Sequence, residues 1–186
     1  MKLLIHDDFF ESVDELRKIA LSTDYVTHEE MNSTITSGGW KGCRSRNLLS
    51  HDKVFLYMCE QKIMKVVKEY FNDRKLFLTS YFHITFDETK NCIPDFGFDK
   101  YHQDPCLYAG IVYLKPDAPR EAGTSILNGD ENKIIDVENV YNRLVCYPGK
   151  YVHAVSDTFG DTKESGRMTL SFFIDKKPLS NHGNPQ

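Results

Sequence analysis

The sequence predicts a mainly β domain, a sandwich or barrel, with helices packed in front of it. Three observations carry this. The first 75 residues contain two stretches with apolar residues at every third or fourth position. From Leu76 onward the chain breaks into short runs rich in aromatic and β-branched residues. Gly and Pro turns separate those runs, and many short strands joined in this way imply an all-β sandwich or barrel.

The elements follow in order. Ser12-Val-Asp-Glu15 reads as a capping box, in which Ser12 caps the helix and Glu15 reaches back to it. Val13, Leu16, Ile19 and Ala20 then recur at helical spacing. A longer helix is expected from about Asp52 to Phe71, with Phe55, Met58, Met64, Val67 and Phe71 as its apolar stripe. Between the helices, Thr36-Ser-Gly-Gly-Trp40-Lys-Gly-Cys-Arg44 reads as a loop. Leu76 to Phe86 reads as a strand. Its Leu78, Phe82, Ile84 and Phe86 share one face, and Thr79, Tyr81, His83 and Thr85 share the other. Such a strand, greasy on one side and semi-polar on the other, suits the wall of a functional cavity. Residues 87–101 read as a loop. Further strands are expected at about 106–114, 123–127, 143–147, 151–155 and 167–175, with Pro148-Gly149 as a turn and Asp157 to Gly166 as a loop. One domain is expected over 1–186: helical support and an entrance loop in 1–75, the β core in 76–175, and a fraying tail in 176–186.

Composition narrows the function classes. A formal charge of −4, from 23 basic and 27 acidic residues, offers no general attraction to nucleic acid or anionic membrane. Five cysteines at wide spacing, with no Cys-x-x-Cys, argue against a disulfide framework or a structural zinc site. The N-terminus turns acidic after five residues and has no signal-peptide core, and no apolar run approaches the roughly 20 residues of a membrane span. A soluble, cytoplasmic protein is expected. Its oligomeric state is not encoded in any feature of the chain.

Four residues suggest chemistry: His102 and Asp104 in Tyr-His-Gln-Asp, then His153, then Arg167. On an extended chain, residues i and i+2 project from one face about 6–7 Å apart, so His102 and Asp104 can converge on one cation. Two imidazoles and a carboxylate suit Fe(II) and leave three octahedral positions open, although the same donors could hold zinc. Arg167 opens the run Arg-Met-Thr-Leu-Ser-Phe-Phe-Ile, where its planar fork could clamp a dicarboxylate. Thr169 shares its face and could add a hydroxyl. Each residue taken singly has a plainer reading: a surface His–Asp pair, a satisfied polar histidine, a solvated arginine. His6, His28, His51 and His182 lie in helix-flanking or loop sequence. His83 reads equally as a cavity or a core residue. Trp40, Arg44 and Arg46 are conceivable substrate contacts.

At this point residues 76 to 175 resemble the 2-oxoglutarate- and Fe(II)-dependent oxygenase superfamily, in its prolyl-4-hydroxylase-like branch. The pieces that carry the likeness are Tyr101-His-Gln-Asp104, Ala109-Gly-Ile-Val-Tyr-Leu-Lys-Pro116, Gly123-Thr124, Asn142-Arg-Leu-Val-Cys-Tyr-Pro-Gly149, His153-Ala154 and Gly166-Arg-Met-Thr-Leu-Ser-Phe-Phe173. The resemblance implies a double-stranded β-helix, a jelly-roll core with helices on one side. It implies His102, Asp104 and His153 as iron ligands and Arg167 as the partner of the distal carboxylate of 2-oxoglutarate. Thr169 would share that duty, and Tyr113 and Tyr81 would hydrogen-bond the cosubstrate. The reaction implied is hydroxylation of a C–H bond by O2, with 2-oxoglutarate converted to succinate and CO2. The substrate would be a protein side chain such as proline, or a free amino acid or small metabolite. Halogenases of this superfamily lack the carboxylate, and Asp104 is present here. Two other classes remain: a cupin-like metalloenzyme that uses no 2-oxoglutarate, and a non-catalytic binding protein with a vestigial site.

Overall fold

Hydrophobic alternation along the β region is resolved into two sheets and a helical layer in the computed structural model, which describes residues 2–27, 30, 42–45, 53–73, 75–87, 101–128 and 133–176. The strands are β1 (Leu4–His6), β2 (Tyr25–Thr27), β3 (Cys43–Ser45), β4 (Phe77–Thr85), β5 (Tyr108–Tyr113), β6 (Thr124–Asn128), β7 (Lys133–Val137), β8 (Leu144–Pro148), β9 (Val152–Val155) and β10 (Arg167–Asp175). The helices are α1 (Val13–Ser22) and α2 (Lys53–Phe71). A seven-stranded antiparallel sheet runs β1-β8-β5-β10-β4-β3-β2, and a three-stranded one runs β7-β6-β9. The fold is mainly β with a jelly-roll core.

The large sheet has two unlike faces. Phe82, Ile84, Val112, Leu144, Cys146, Met168, Leu170, Phe172 and Ile174 join Leu16, Ile19, Ile63, Val67 and Phe71 of the helices in one apolar cluster. A smaller cluster of Ala109, Tyr113, Ile126, Val137, Val145 and Tyr147 lies between the sheets. The alternation predicted for Leu76–Phe86 is therefore the one observed: Phe82 and Ile84 are buried against the helices, and Tyr81 and His83 lie on the opposite face. Gly110 permits the close strand packing, because a Cβ there would stand 2.3 Å from the Phe172 ring and 2.4 Å from the Val145 carbonyl.

Several expectations are corrected. Ser12 precedes α1 but makes no side-chain cap; only its carbonyl accepts, from Leu16 N–H at 3.2 Å. The buried stripe of α2 is Leu56, Cys59, Ile63, Met64, Val67 and Phe71, whereas Met58 is 63% exposed. Two apolar stripes compete on that helix, and the one led by Leu56 and Ile63 faces the sheet. The end of the expected loop at 36–44 is a strand instead, β3, paired with β2 and β4. The strands β1, β2 and β7 were not anticipated; the first two are only three residues long and take their order from pairing rather than local pattern. Trp40 and Arg46, most of the expected 87–101 loop, and the tail beyond Lys176 lie outside the described residues.

Asn142 and Arg143 tie the first residues to the core. Asn142 sits at φ +63°, a left-handed conformation that Asn tolerates well, and its amide bonds both the N–H and the carbonyl of Phe10 at 2.8 Å. Arg143 forks onto Asp7 at 2.5 and 3.0 Å.

Candidate functional site

A single backbone bridge assembles the first half of the site. His102 pairs antiparallel with His153 of β9, their N–H groups donating to each other's carbonyls at 2.9 and 2.8 Å. The segment carrying His102 and Asp104 thus extends the small sheet by one bridge rather than as a strand of its own. Asp104 N–H donates to the Gly149 carbonyl at 3.0 Å. Here the Pro148-Gly149 turn is indispensable: a Cβ on residue 149 would meet the Cys106 carbonyl at 2.3 Å and the Asp104 carbonyl at 2.9 Å.

These contacts bring three donors together. His153 Nε2 lies 3.2 Å from one Asp104 oxygen, and His102 Nε2 lies 3.8 Å from the other. One ligand atom from each residue falls within 4.8 Å of the others. Cis ligands about 2.1 Å from an octahedral ion stand about 3 Å apart, so the set could close on a small divalent cation with little movement. His153 Nδ1 lies 3.0 Å from the Tyr151 carbonyl, and donating to it leaves the Nε2 lone pair to face Asp104. The Tyr147 ring packs 4.8 Å from that of His153, and burial holds its phenol well above the usual tyrosine range, with the Asp104 carboxylate adding to the effect. His153 is buried, and the His102 side chain is 56% exposed, leaving the cluster one open side.

The second half of the site surrounds Arg167, the first residue of β10. It is 3% exposed. Its Nε donates to the Ala122 carbonyl at 3.0 Å, and Nη2 donates to the Gly123 carbonyl at 3.0 Å and to Thr124 Oγ1 at 3.3 Å. Its guanidinium carbon lies 5.4 Å from the centre of the Tyr113 ring, and the Tyr113 hydroxyl is 2.8 Å from Thr124 Oγ1. Burial pulls the Arg167 pKa down and pushes that of Tyr113 up, the latter opposed by the Arg167 charge. Among the described residues no carboxylate pairs with Arg167. A buried cation without a counter-ion is costly, and an anionic ligand would relieve that cost.

The strand β6 joins the two halves. Thr124 touches Arg167 and Tyr113, and Ile126 is the register partner of His153. The two residues lie on one strand face, about 6–7 Å apart. Thr169 is fully buried opposite Tyr113 and His83, with its hydroxyl 3.2 Å from Ser171 Oγ. Tyr81 stands farther along the same face, 6.5 Å from the Phe173 ring and beneath Arg44. The fold therefore groups Tyr113 and Thr169 with Arg167, and Tyr81 with Arg44. Sequence reasoning missed Tyr147 and assigned no part to Thr124. Tyr147 shares a strand face with Val145, and that periodicity was the one signal pointing it inward.

No family model matches the chain, and no curated protein matches it. Solved structures do. A prolyl-4-hydroxylase from Pseudomonas putida is 13% identical with a TM-score of 0.60, covering 95% of this chain and 93% of that one. A 2OG-Fe(II) oxygenase family oxidoreductase from Burkholderia pseudomallei is 10% identical with a TM-score of 0.68, covering 97% and 88%. HygX from Streptomyces hygroscopicus, solved with nickel, 2-oxoglutarate and hygromycin B bound, is 14% identical with a TM-score of 0.64, covering 96% and 84%. The fold is that of the 2-oxoglutarate and Fe(II) oxygenases. The prolyl-4-hydroxylase-like architecture extends through the N-terminal helices as well as the β core, since these alignments cover nearly the whole chain.

Proposed function

We propose that the protein is an Fe(II)- and 2-oxoglutarate-dependent oxygenase that hydroxylates a C–H bond of a bound substrate. The observation that carries this reading is the pairing of a His–Asp–His cluster with a buried arginine that lacks a carboxylate partner among the described residues, both on one face of β6. HygX, of the same fold, has been solved with nickel and 2-oxoglutarate bound.

In this reading His102, Asp104 and His153 hold the iron, which supplies activation of O2 coupled to decarboxylation of 2-oxoglutarate. Asp104 lowers the net charge of the centre, and the Tyr151 carbonyl fixes the His153 tautomer. Arg167 takes the distal carboxylate of the cosubstrate through its remaining N–H groups, with Thr169 and Tyr113 adding hydroxyl donors. Tyr147 and Ile126 keep water from the inner side. Residues 1–186 act as one domain. In support, one apolar cluster spans helices and sheet.

Anaerobic titration of the Fe(II) protein with 2-oxoglutarate tests this. A metal-to-ligand charge-transfer band is expected. Iron uptake without the band would favour a cupin-like enzyme, and no iron uptake would favour a vestigial site.

A further inference from the structure

A cleft opens beside the His–Asp–His cluster. Its volume is about 410 Å³, and it is lined by residues 103–107, Lys150 and Asp175. That size falls at the small end of the roughly 300–1,000 Å³ of small-molecule sites. Asp104 belongs both to the cleft wall and to the cluster. Backbone bonds hold the lining in place. Leu107 N–H donates to the Ile174 carbonyl at 3.0 Å, Gly149 N–H to the Leu107 carbonyl at 2.9 Å, and Asp104 N–H to the Gly149 carbonyl at 3.0 Å. The Gln103 amide donates to the Lys150 carbonyl at 2.7 Å and ties two walls together.

Two charges of opposite sign line this cleft. Lys150 follows the Pro148-Gly149 turn, and Asp175 is the last residue of β10. Among the described residues, the two form no ion pair with each other or with any other side chain. One Asp175 oxygen accepts the Lys176 N–H at 2.6 Å, which leaves the other to a ligand. Asp104 and Asp175 both raise the Cys106 pKa, so both carboxylates lie near that thiol.

We propose that this cleft binds a free aliphatic α-amino acid, its carboxylate on Lys150 and its ammonium on Asp175, as the substrate class of the neighbouring metal site. The substrate role rests on the oxygenase reading; the binding itself does not.

Three arguments support it. First, a simple acid would meet Lys150 but bring its charge towards two carboxylates. A simple amine would meet Asp175 but be repelled by Lys150. A zwitterion avoids both costs. Second, Pro105 and Leu107 give the wall hydrocarbon, and the Cys106 thiol is already turned to the Tyr108 carbonyl at 3.3 Å. Such a wall suits an aliphatic side chain. Third, an internal residue of a polypeptide carries neither backbone charge and would leave Lys150 and Asp175 unused.

The test uses L-leucine as probe, with N-acetyl-L-leucine lacking the ammonium and L-leucinamide lacking the carboxylate. Binding is followed by ligand-observed NMR on the protein loaded with Zn(II) and 2-oxoglutarate. Leucine should bind at least about threefold more tightly than either analogue, the scale of a partly exposed ion pair. Lys150→Gln should remove the preference over leucinamide, and Asp175→Asn the preference over N-acetyl-leucine. Arg120→Gln, at the exposed Arg120–Glu138 pair, should change neither. Mn(II) in place of Zn(II) should broaden the methyl lines of bound leucine, because the cleft borders the cluster. Should Asp175→Asn fail to fold, Lys150→Gln and the three probes still decide. Equal binding of all three, preferences untouched by the variants, lines that Mn(II) leaves sharp, or no saturation by about 100 mM leucine overturns the proposal. Uptake of 2-oxoglutarate is measured separately, without leucine. A leucine site dependent on Lys150 and Asp175 in a protein that takes up no 2-oxoglutarate would sink the oxygenase reading and leave the amino-acid site standing. Uptake of 2-oxoglutarate without leucine binding would do the reverse.

Discussion

The two faces of β10 differ as sharply as any two regions of the molecule. Met168, Leu170, Phe172 and Ile174 point to the helices and are all but fully buried among apolar neighbours. Arg167, Thr169, Ser171 and Phe173 alternate with them on the side of the smaller sheet, and three of those four are buried polar groups. The first face stabilises the fold by removing hydrocarbon from water. The second places charge and hydroxyls where water is scarce, which costs stability. One strand thus separates the parts that hold the protein together from the parts to which the proposed function assigns a role.

Substitutions on either side can break this division. The largest effect is expected at the metal cluster, where Asp104→Ala should lower succinate formation by more than about 100-fold with little change in melting temperature. If turnover survived, the cluster would not be the reaction centre. On the helix-facing side, Leu170→Ala should cost about 2–5 kcal/mol in a denaturant melt while the folded protein keeps its 2-oxoglutarate affinity. A loss of affinity equal to the loss of stability would erase the distinction between the faces. Opposite it, Arg167→Met should do the reverse. Saturating 2-oxoglutarate at 100 times its Kd should stabilise the wild type by about 2.7 kcal/mol and leave this variant nearly unmoved in a thermal melt.

A smaller effect is expected far from the cavity. The Arg143 hydrogen bond, with its charge, holds the Asp7 carboxyl below its ordinary range of 3.8. The pair therefore adds stability above about pH 4, and this contribution is lost as pH falls through the lowered value. Asp7 is half exposed, so the contribution is under about 1 kcal/mol. Arg143→Ala should flatten the acid limb of the stability curve below pH 4 and leave neutral-pH cosubstrate binding unaltered.

Much of this was legible in the sequence where a periodicity or a motif spoke for itself. The alternation in 76–86 and 167–175 located both faces of the large sheet. The order His102, Asp104, His153 named three groups whose ligand atoms the structure brings within 4.8 Å of one another. What could not be read depended on pairing across long sequence separations. Arg44 looked like loop because its three-residue strand exists only through β2 and β4. The stripe of α2 was ambiguous because Met58 and Leu56 lead equally apolar rows, and only the sheet chooses between them. The Asn142 bond to Phe10 joins residues 132 apart, beyond any local signal.

The most direct measurement is a crystal structure of the protein with Mn(II) and 2-oxoglutarate. The account predicts a metal held by His102, Asp104 and His153 and the distal carboxylate of 2-oxoglutarate within hydrogen-bonding distance of Arg167. A metal bound elsewhere, or a distal carboxylate seated away from Arg167, would contradict it.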